Sequence, residues 1–155
     1  NKNLLEDLIK KKNKYFVENN KVIFYPGVRS LIKYLKKKNF YTSIVTAGSR
    51  TRIINSISGD FLKNFDTIIT GDDCKKGKPF PDPYLLSLKH SELNKSECII
   101  VENAPLGIKA GNAAGIKTLG ITNTLDKKYL KKAKYIVSSA KEIKKIVDNI
   151  NEKYP

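Results

Sequence analysis

Apolar residues at Leu4, Leu5, Leu8, Ile9, Tyr15 and Phe16 fall on one face at helical spacing, so residues 3–18 read as an amphipathic helix. Pro26-Gly27 breaks the chain, and Val28, Leu31, Ile32 and Leu35 then mark a helix with a basic outer face. Short apolar runs follow at 41–46 (YTSIVT), 66–70 (DTIIT), 98–101 (CIIV), 117–121 and 135–138, each predicted as a strand. Helical patterns separate them. Ile53, Ile54 and Ile57 suggest a short helix, and Phe61, Leu62 and Phe65 a second apolar cluster. Tyr84, Leu85 and Leu88 share a helix that Asp82 is expected to cap, with Pro83 at its first position. Residues 105–114 form a helix rich in small residues, and Ile143, Ile146, Val147 and Ile150 trace the last one. Alternation of strand and helix from 28 to 150 predicts an α/β fold, a mostly parallel sheet with helices on both faces and strand 98–101 buried inside it. In such folds ligands bind beyond the carboxyl ends of strands. Thr46, Asp72 and Glu102 fall there.

Composition adds limits. The 155 residues are enough for one domain with a real core, and no apolar run approaches the roughly 18 residues of a membrane span. The amino terminus has the charge pattern of neither a signal nor a transit peptide. With no methionine in the sequence, a processed product or fragment is expected. The net charge of +15 raises the possibility of a basic nucleic-acid-binding module. The charge comes from 27 lysines spread over most of the helices, with only three arginines, and arginine is the residue suited to bidentate phosphate and base recognition. The charge therefore reads as composition. Cys74 and Cys98 form no CxxC, and a reducing cytoplasmic compartment is the simplest inference. His90, near the end of a polar helix, reads as a solvated surface residue.

Three segments carry candidate chemistry. In Ile44-Val45-Thr46-Ala47-Gly48 a hydroxyl and free backbone N–H groups at a strand end suit a phosphate oxygen. In Gly77-Lys78-Pro79-Phe80-Pro81-Asp82 the following proline holds Lys78 out of helical backbone, presenting an ammonium on a stiff turn. In Val101-Glu102-Asn103-Ala104-Pro105-Leu106-Gly107 a carboxylate ends an apolar strand beside a helix start, a position suited to magnesium or its waters. Asp72 and Asp73 read as loop residues near this end of the sheet, and Arg50 and Arg52 as substrate contacts or helix-surface groups.

Together these segments resemble the haloacid-dehalogenase-like (HAD) superfamily, in its β-phosphoglucomutase-like and phosphatase branch, over about residues 23–150. Tyr25-Pro26-Gly27-Val28 resembles the approach to the second motif, Thr46 its hydroxyl, GKPFPDPYL the third motif with Lys78, and ENAPLGIKAGNAAGI the acidic fourth motif. The resemblance implies a three-layer α/β/α Rossmann-like core. It also implies phosphoryl transfer through an aspartyl-phosphate, a Mg2+ cofactor, and a small phosphorylated metabolite such as a sugar phosphate as substrate. By the same resemblance Thr46 and the amides of Ala47 and Gly48 bind the phosphoryl oxygens, Lys78 stabilises nucleophile and transferring group, and Glu102 and Asn103 face the metal.

Two departures bear on this. The family's metal ligand is commonly aspartate where this chain has Asn103. The family's nucleophile sits in an Asp-x-Asp on a central first strand, and the sequence contains no such motif; Asp7 lies within the first helix. Residues 1–22 then read as the remnant of a helical cap and 23–155 as the core. The missing strand belongs between the Thr46 and Glu102 strands, where its omission leaves a gap of about 9.6 Å, twice the spacing of neighbouring strands. A missing amino-terminal segment or another chain is expected to fill it. Without it the site is inactive, and a truncated or degenerate relative with a binding or structural role is the alternative.

Overall fold

The computed structural model describes residues 2–19 and 22–153. In chain order its helices are α1 (Lys2–Asn19), α2 (Val28–Lys37), α3 (Arg50–Ser56), α4 (Gly59–Leu62), α5 (Asp82–Ser91), α6 (Pro105–Ala114) and α7 (Ala140–Lys153). Its strands are β1 (Ser43–Val45), β2 (Thr67–Ile69), β3 (Ile99–Glu102), β4 (Lys117–Ile121) and β5 (Tyr135–Val137). All strand pairs are parallel, as the alternation of elements requires. Pro105 opens α6, where its missing N–H costs nothing. Gly115 closes α6 at φ 73°, a left-handed conformation that glycine adopts without strain. The expected Asp82 cap is not formed: Asp82 is the first helical residue of α5, and Pro81 precedes it with no side-chain cap bond.

The sheet is divided. β1 pairs with β2, β3 with β4 and β4 with β5, and no hydrogen-bonded ladder joins β1 to β3. The edges facing this seam follow from the bonds on the other sides. Thr46 N–H donates to the Ile69 carbonyl at 2.9 Å and the Thr42 carbonyl accepts from Thr67 N–H at 3.4 Å. Backbone groups alternate sides along a strand, so Ser43 and Val45 turn theirs away from β2. In β4 the Thr118 carbonyl accepts from Lys134 N–H at 2.8 Å, on the β5 side. Leu119 therefore serves β3, and its register opposite Val101 assigns Ile100 and Glu102 to β4. Ile99 and Val101 are left facing the seam. Among the described residues these four have no backbone partner across it.

Two cores flank the divided sheet. On one face Leu31 of α2 packs with Ile121, Val137, Ala140, Ile143 and Val147. On the other, Tyr84 of α5 packs with Ile100, Ala110, Ala114 and Ile116, with Val45 against them. Between them lies a cavity of about 290 Å³ lined by both strand edges, by Leu35 and Ile143 above and by Tyr84 and Leu88 below. Strand 98–101, expected to be buried, is only half so: Ile100 is 8% exposed but Val101 is 43% exposed. The pattern of four apolar residues is that of a strand covered on both faces, and here the edge of β3 away from β4 is open. The apolar face of α1 is likewise uncovered, with Leu4, Leu5, Leu8, Ile9 and Tyr15 all exposed; the side chain of Phe16 lies outside the described residues. Among the described residues no helix is long and apolar enough to cross a membrane.

Candidate active site

Lys78 and Glu102 arrive at the same place from different elements. Glu102 is the last residue of β3, and its carboxylate is buried, 8% exposed. Lys78 lies in the loop between β2 and α5, before a cis peptide bond to Pro79. Its side chain is 14% exposed, and its ammonium pairs with Glu102 Oε1 and donates to the Val45 carbonyl at 2.9 Å. The Val45 carbonyl belongs to the seam-facing edge of β1, so one lysine ties the carboxyl ends of the two half-sheets together.

Two further residues shape this pair. The Tyr84 hydroxyl donates to Glu102 Oε1. Burial, then the nearby Glu102 charge, pushes the phenol far above its ordinary pKa, so Tyr84 remains a neutral donor. Its ring also lies 5.0 Å beneath the Lys78 ammonium. Sequence reading placed Tyr84 on an apolar helix face and missed this bond. The available signal was a tyrosine in place of an aliphatic residue two positions after Asp82. Gly107 is the second. A Cβ built on Gly107 would overlap the Glu102 carboxylate, so the first turn of α6 closes over that carboxylate only because residue 107 has no side chain.

The phosphate-binding candidates sit at the carboxyl end of β1. Thr46 Oγ1 accepts from the Gly48 N–H at 3.1 Å, folding the turn back on its own hydroxyl, and the Gly48 carbonyl accepts from Gly71 N–H at 2.9 Å. The Gly48 amide is thus engaged within the loop, and Ala47 is exposed. Asn103 is exposed and turns its amide nitrogen to Thr124 Oγ1 at 2.9 Å, joining the loops after β3 and β4. Both Glu102 and Asn103 offer hard oxygen donors of the kind magnesium takes. The fit is partial, because the carboxylate is already paired with an ammonium. Among the described residues no group of three or more His, Cys, Asp or Glu is arranged to hold a metal.

The remaining polar candidates build the scaffold. Asp73 Oδ2 accepts from Thr70 N–H and Thr70 Oγ1, both at 2.7 Å, and from the Arg50 guanidinium at 2.8 Å. Asp72 Oδ2 accepts from Arg50 N–H at 2.8 Å. Arg50 is thereby held in the loop network. His90 is exposed, as expected. The Thr70 bonds, then Arg50, hold the Asp73 carboxyl at about 2, below its ordinary 3.8. A folded-state pKa below the unfolded one stabilises wherever the unfolded carboxyl is ionised, and the effect fades as pH falls through the folded value. Asp73→Asn should therefore lower the melting temperature near neutral pH, and its deficit should narrow between about pH 4 and pH 2. A deficit constant over that window, in melts of both proteins, would contradict the assignment.

The fold and this geometry define an α/β protein with a lysine–carboxylate pair at the carboxyl ends of two parallel strands. The model of the haloacid dehalogenase-like hydrolase family matches residues 1–121, and the chain belongs to that family. Among curated proteins it is 33% identical over 120 residues to hexitol phosphatase A of Escherichia coli, covering 76% of this chain and 55% of that one. It is 29% identical over 103 residues to the phosphorylated carbohydrates phosphatase of Thermotoga maritima, covering 65% and 48%. Among solved structures it is similar to β-phosphoglucomutase from Clostridium difficile, with a TM-score of 0.74 and 31% identity over 93% of this chain and 66% of that one. The chain spans about half the length of these curated relatives.

Proposed function

We propose that this chain is the core of a phosphoryl-transfer hydrolase, a phosphatase or phosphomutase acting on a small phosphorylated metabolite such as a sugar phosphate. The observation that carries this reading is the Lys78–Glu102 pair at the seam, in a chain whose relatives include a hexitol phosphatase and a phosphorylated carbohydrates phosphatase. The aspartate nucleophile is supplied by a strand from outside these 155 residues, from an amino-terminal segment or another polypeptide, that occupies the seam. Residues 1–22 are the end of a helical cap and 23–155 the core; the uncovered apolar face of α1 supports that division. Two free cysteines accord with a reducing cytoplasm.

In this reading the Lys78 ammonium neutralises the nucleophile and the transferring group, and the Thr46 hydroxyl with the Ala47 and Gly48 amides positions phosphoryl oxygens. Tyr84 and Gly107 hold Glu102 in one rotamer. Glu102 and Asn103 would hold Mg2+ once the arriving strand adds its own carboxylate; when bound, the ion supplies positive charge next to the phosphoryl group. The test is phosphate release from p-nitrophenyl phosphate and from hexose phosphates, with and without magnesium. The chain alone should be inactive, and the same chain extended at its amino terminus by a strand ending in Asp-x-Asp should gain magnesium-dependent turnover. Turnover by the unextended chain would overturn the external nucleophile, and an inactive, folded extended chain would overturn the phosphoryl-transfer reading.

A further inference from the structure

We propose that the connection between β4 and β5 is a docking surface for single-stranded nucleic acid, bound through its phosphates without regard to sequence. The connection lies on the outer edge of the β3-β4-β5 half-sheet, two strands removed from the seam, so nothing here depends on what the seam holds.

The chain-wide lysine excess reads as composition, but this stretch departs from it. No acidic residue occurs between Asp126 and Glu142, and six of the 15 residues in that interval are lysine, against 27 of 155 overall. Five of the six, Lys127, Lys128, Lys131, Lys132 and Lys134, stand within eight residues, and all five are exposed. Lys128 approaches Asp126 at 3.8 Å with both side chains largely in solvent, a pair that offsets little of the charge. The other four ammoniums have no anionic partner among the described residues. Elsewhere lysines meet acids directly, as in Lys36–Asp66 and Lys144–Asp148.

The backbone beneath these cations is fixed. Leu130 is wholly buried. Its Cβ and that of Ala133 each lie 3.1 Å from the place a Cβ on Gly120 would take, so both residues press against β4. Leu130 N–H donates to the Lys127 carbonyl at 3.0 Å, and Ala133 N–H to the Leu130 carbonyl at 2.9 Å. The second of these turns carries Lys131 and Lys132 at its centre, held out between the two anchors. The Asn112 amide of α6 donates to the Lys132 carbonyl at 2.8 Å. Lys109, one turn earlier on the same face of α6, adds a further exposed cation.

A row of cations on a fixed backbone matches a polymer of regularly spaced phosphates. Lysine supplies a point charge without the planar fork of arginine, which suits contact with the phosphate backbone rather than readout of bases. The occupant is a nucleic acid rather than a bare phosphate chain because aromatic rings stand among the cations. Tyr129 is 54% exposed and Tyr135 49%, and the Lys128 ammonium lies 5.1 Å from the Tyr129 ring centroid. A cation for the phosphate beside a ring for the adjoining base is the combination that single strands use.

The probe is a fluorescent oligothymidylate of about 12 nucleotides, titrated with the full 155-residue chain and read by anisotropy. Five lysine contacts give a slope of about −3.5 in log affinity against log salt, a fall of about 100-fold between about 50 and 200 mM. Lys127→Gln/Lys131→Gln/Lys132→Gln should flatten that slope to about −1.5. The matched variant Lys33→Gln/Lys37→Gln/Lys145→Gln removes the same charge from α2 and α7, on the other face of the sheet, and should leave the slope unchanged. All six side chains are exposed, so both variants should melt with the parent chain. Equal flattening in the two variants would overturn the docking surface, because the charge would then act as a whole; so would the absence of binding at the lowest salt. Tyr129→Ser should weaken the oligonucleotide about tenfold and leave inorganic polyphosphate unaffected. Polyphosphate bound as tightly as the oligonucleotide, with no effect of Tyr129→Ser on either, would overturn nucleic acid as the occupant.

Discussion

Lys78→Met should lower the stability of the chain by about 3–5 kcal/mol, the usual cost of leaving one partner of a buried ion pair without the other. For a domain of this size that is a fall of roughly 6–20 °C in melting midpoint. The size follows from where Glu102 sits. Its carboxylate is buried under the first turn of α6, between Tyr84 and Lys78, and methionine fills the lysine's volume without its charge. The tyrosine hydroxyl remains but brings no counter-charge. Adding Glu102→Gln should recover most of the loss, because a buried amide still accepts the Tyr84 hydrogen bond and requires no cation. Urea unfolding of the single and double variants decides the matter: if the double variant is no more stable than Lys78→Met, the pair is not what the lysine contributes.

Gly107→Ala comes next, at about 1–3 kcal/mol. Alanine is ordinarily the better helix former, so a gain of up to about 1 kcal/mol would be expected inside a helix with free space. Here the new methyl would occupy the position of the Glu102 carboxylate. That group cannot swing aside without losing both Lys78 and Tyr84. In a Glu102→Ala background the obstacle is gone, and the same substitution should be neutral or stabilising. The reversal of sign between backgrounds, read from thermal melts, is the signature; a loss of equal size in both would place the clash elsewhere, against backbone.

How far the sequence revealed this site depended on whether each feature is local. The order of strands and helices was readable because periods of two and about 3.6 are written into consecutive residues, and the start of α6 at Pro105 is set by one residue's backbone chemistry. The nearness of Lys78 to Glu102 was anticipated through motif order. The Tyr84 bond was not, since a tyrosine on an apolar helix face looks like core until the tertiary structure shows what its hydroxyl meets. The Asp82 cap failed for a related reason: Pro81 and Pro83 on either side fix the backbone, and α5 starts one residue earlier than the cap would allow. The apolar run at 98–101 predicted a buried strand, and Val101 is half exposed instead, because such a run reports the faces of a strand and says nothing about which neighbours it has.

The divided sheet also orders the chain in time. β1 and β2 lie within residues 43–69 and β3, β4 and β5 within residues 99–137, so neither half-sheet waits for any strand of the other. Each pairs strands that follow one another directly in sequence, and loop closure is short. The packing of α2 against α7 is the contact that spans almost the whole chain, and it comes after both halves exist. In the order of synthesis both strands of the half bearing Thr46 precede Glu102, and Lys78, encoded between them, is made in time to join the two.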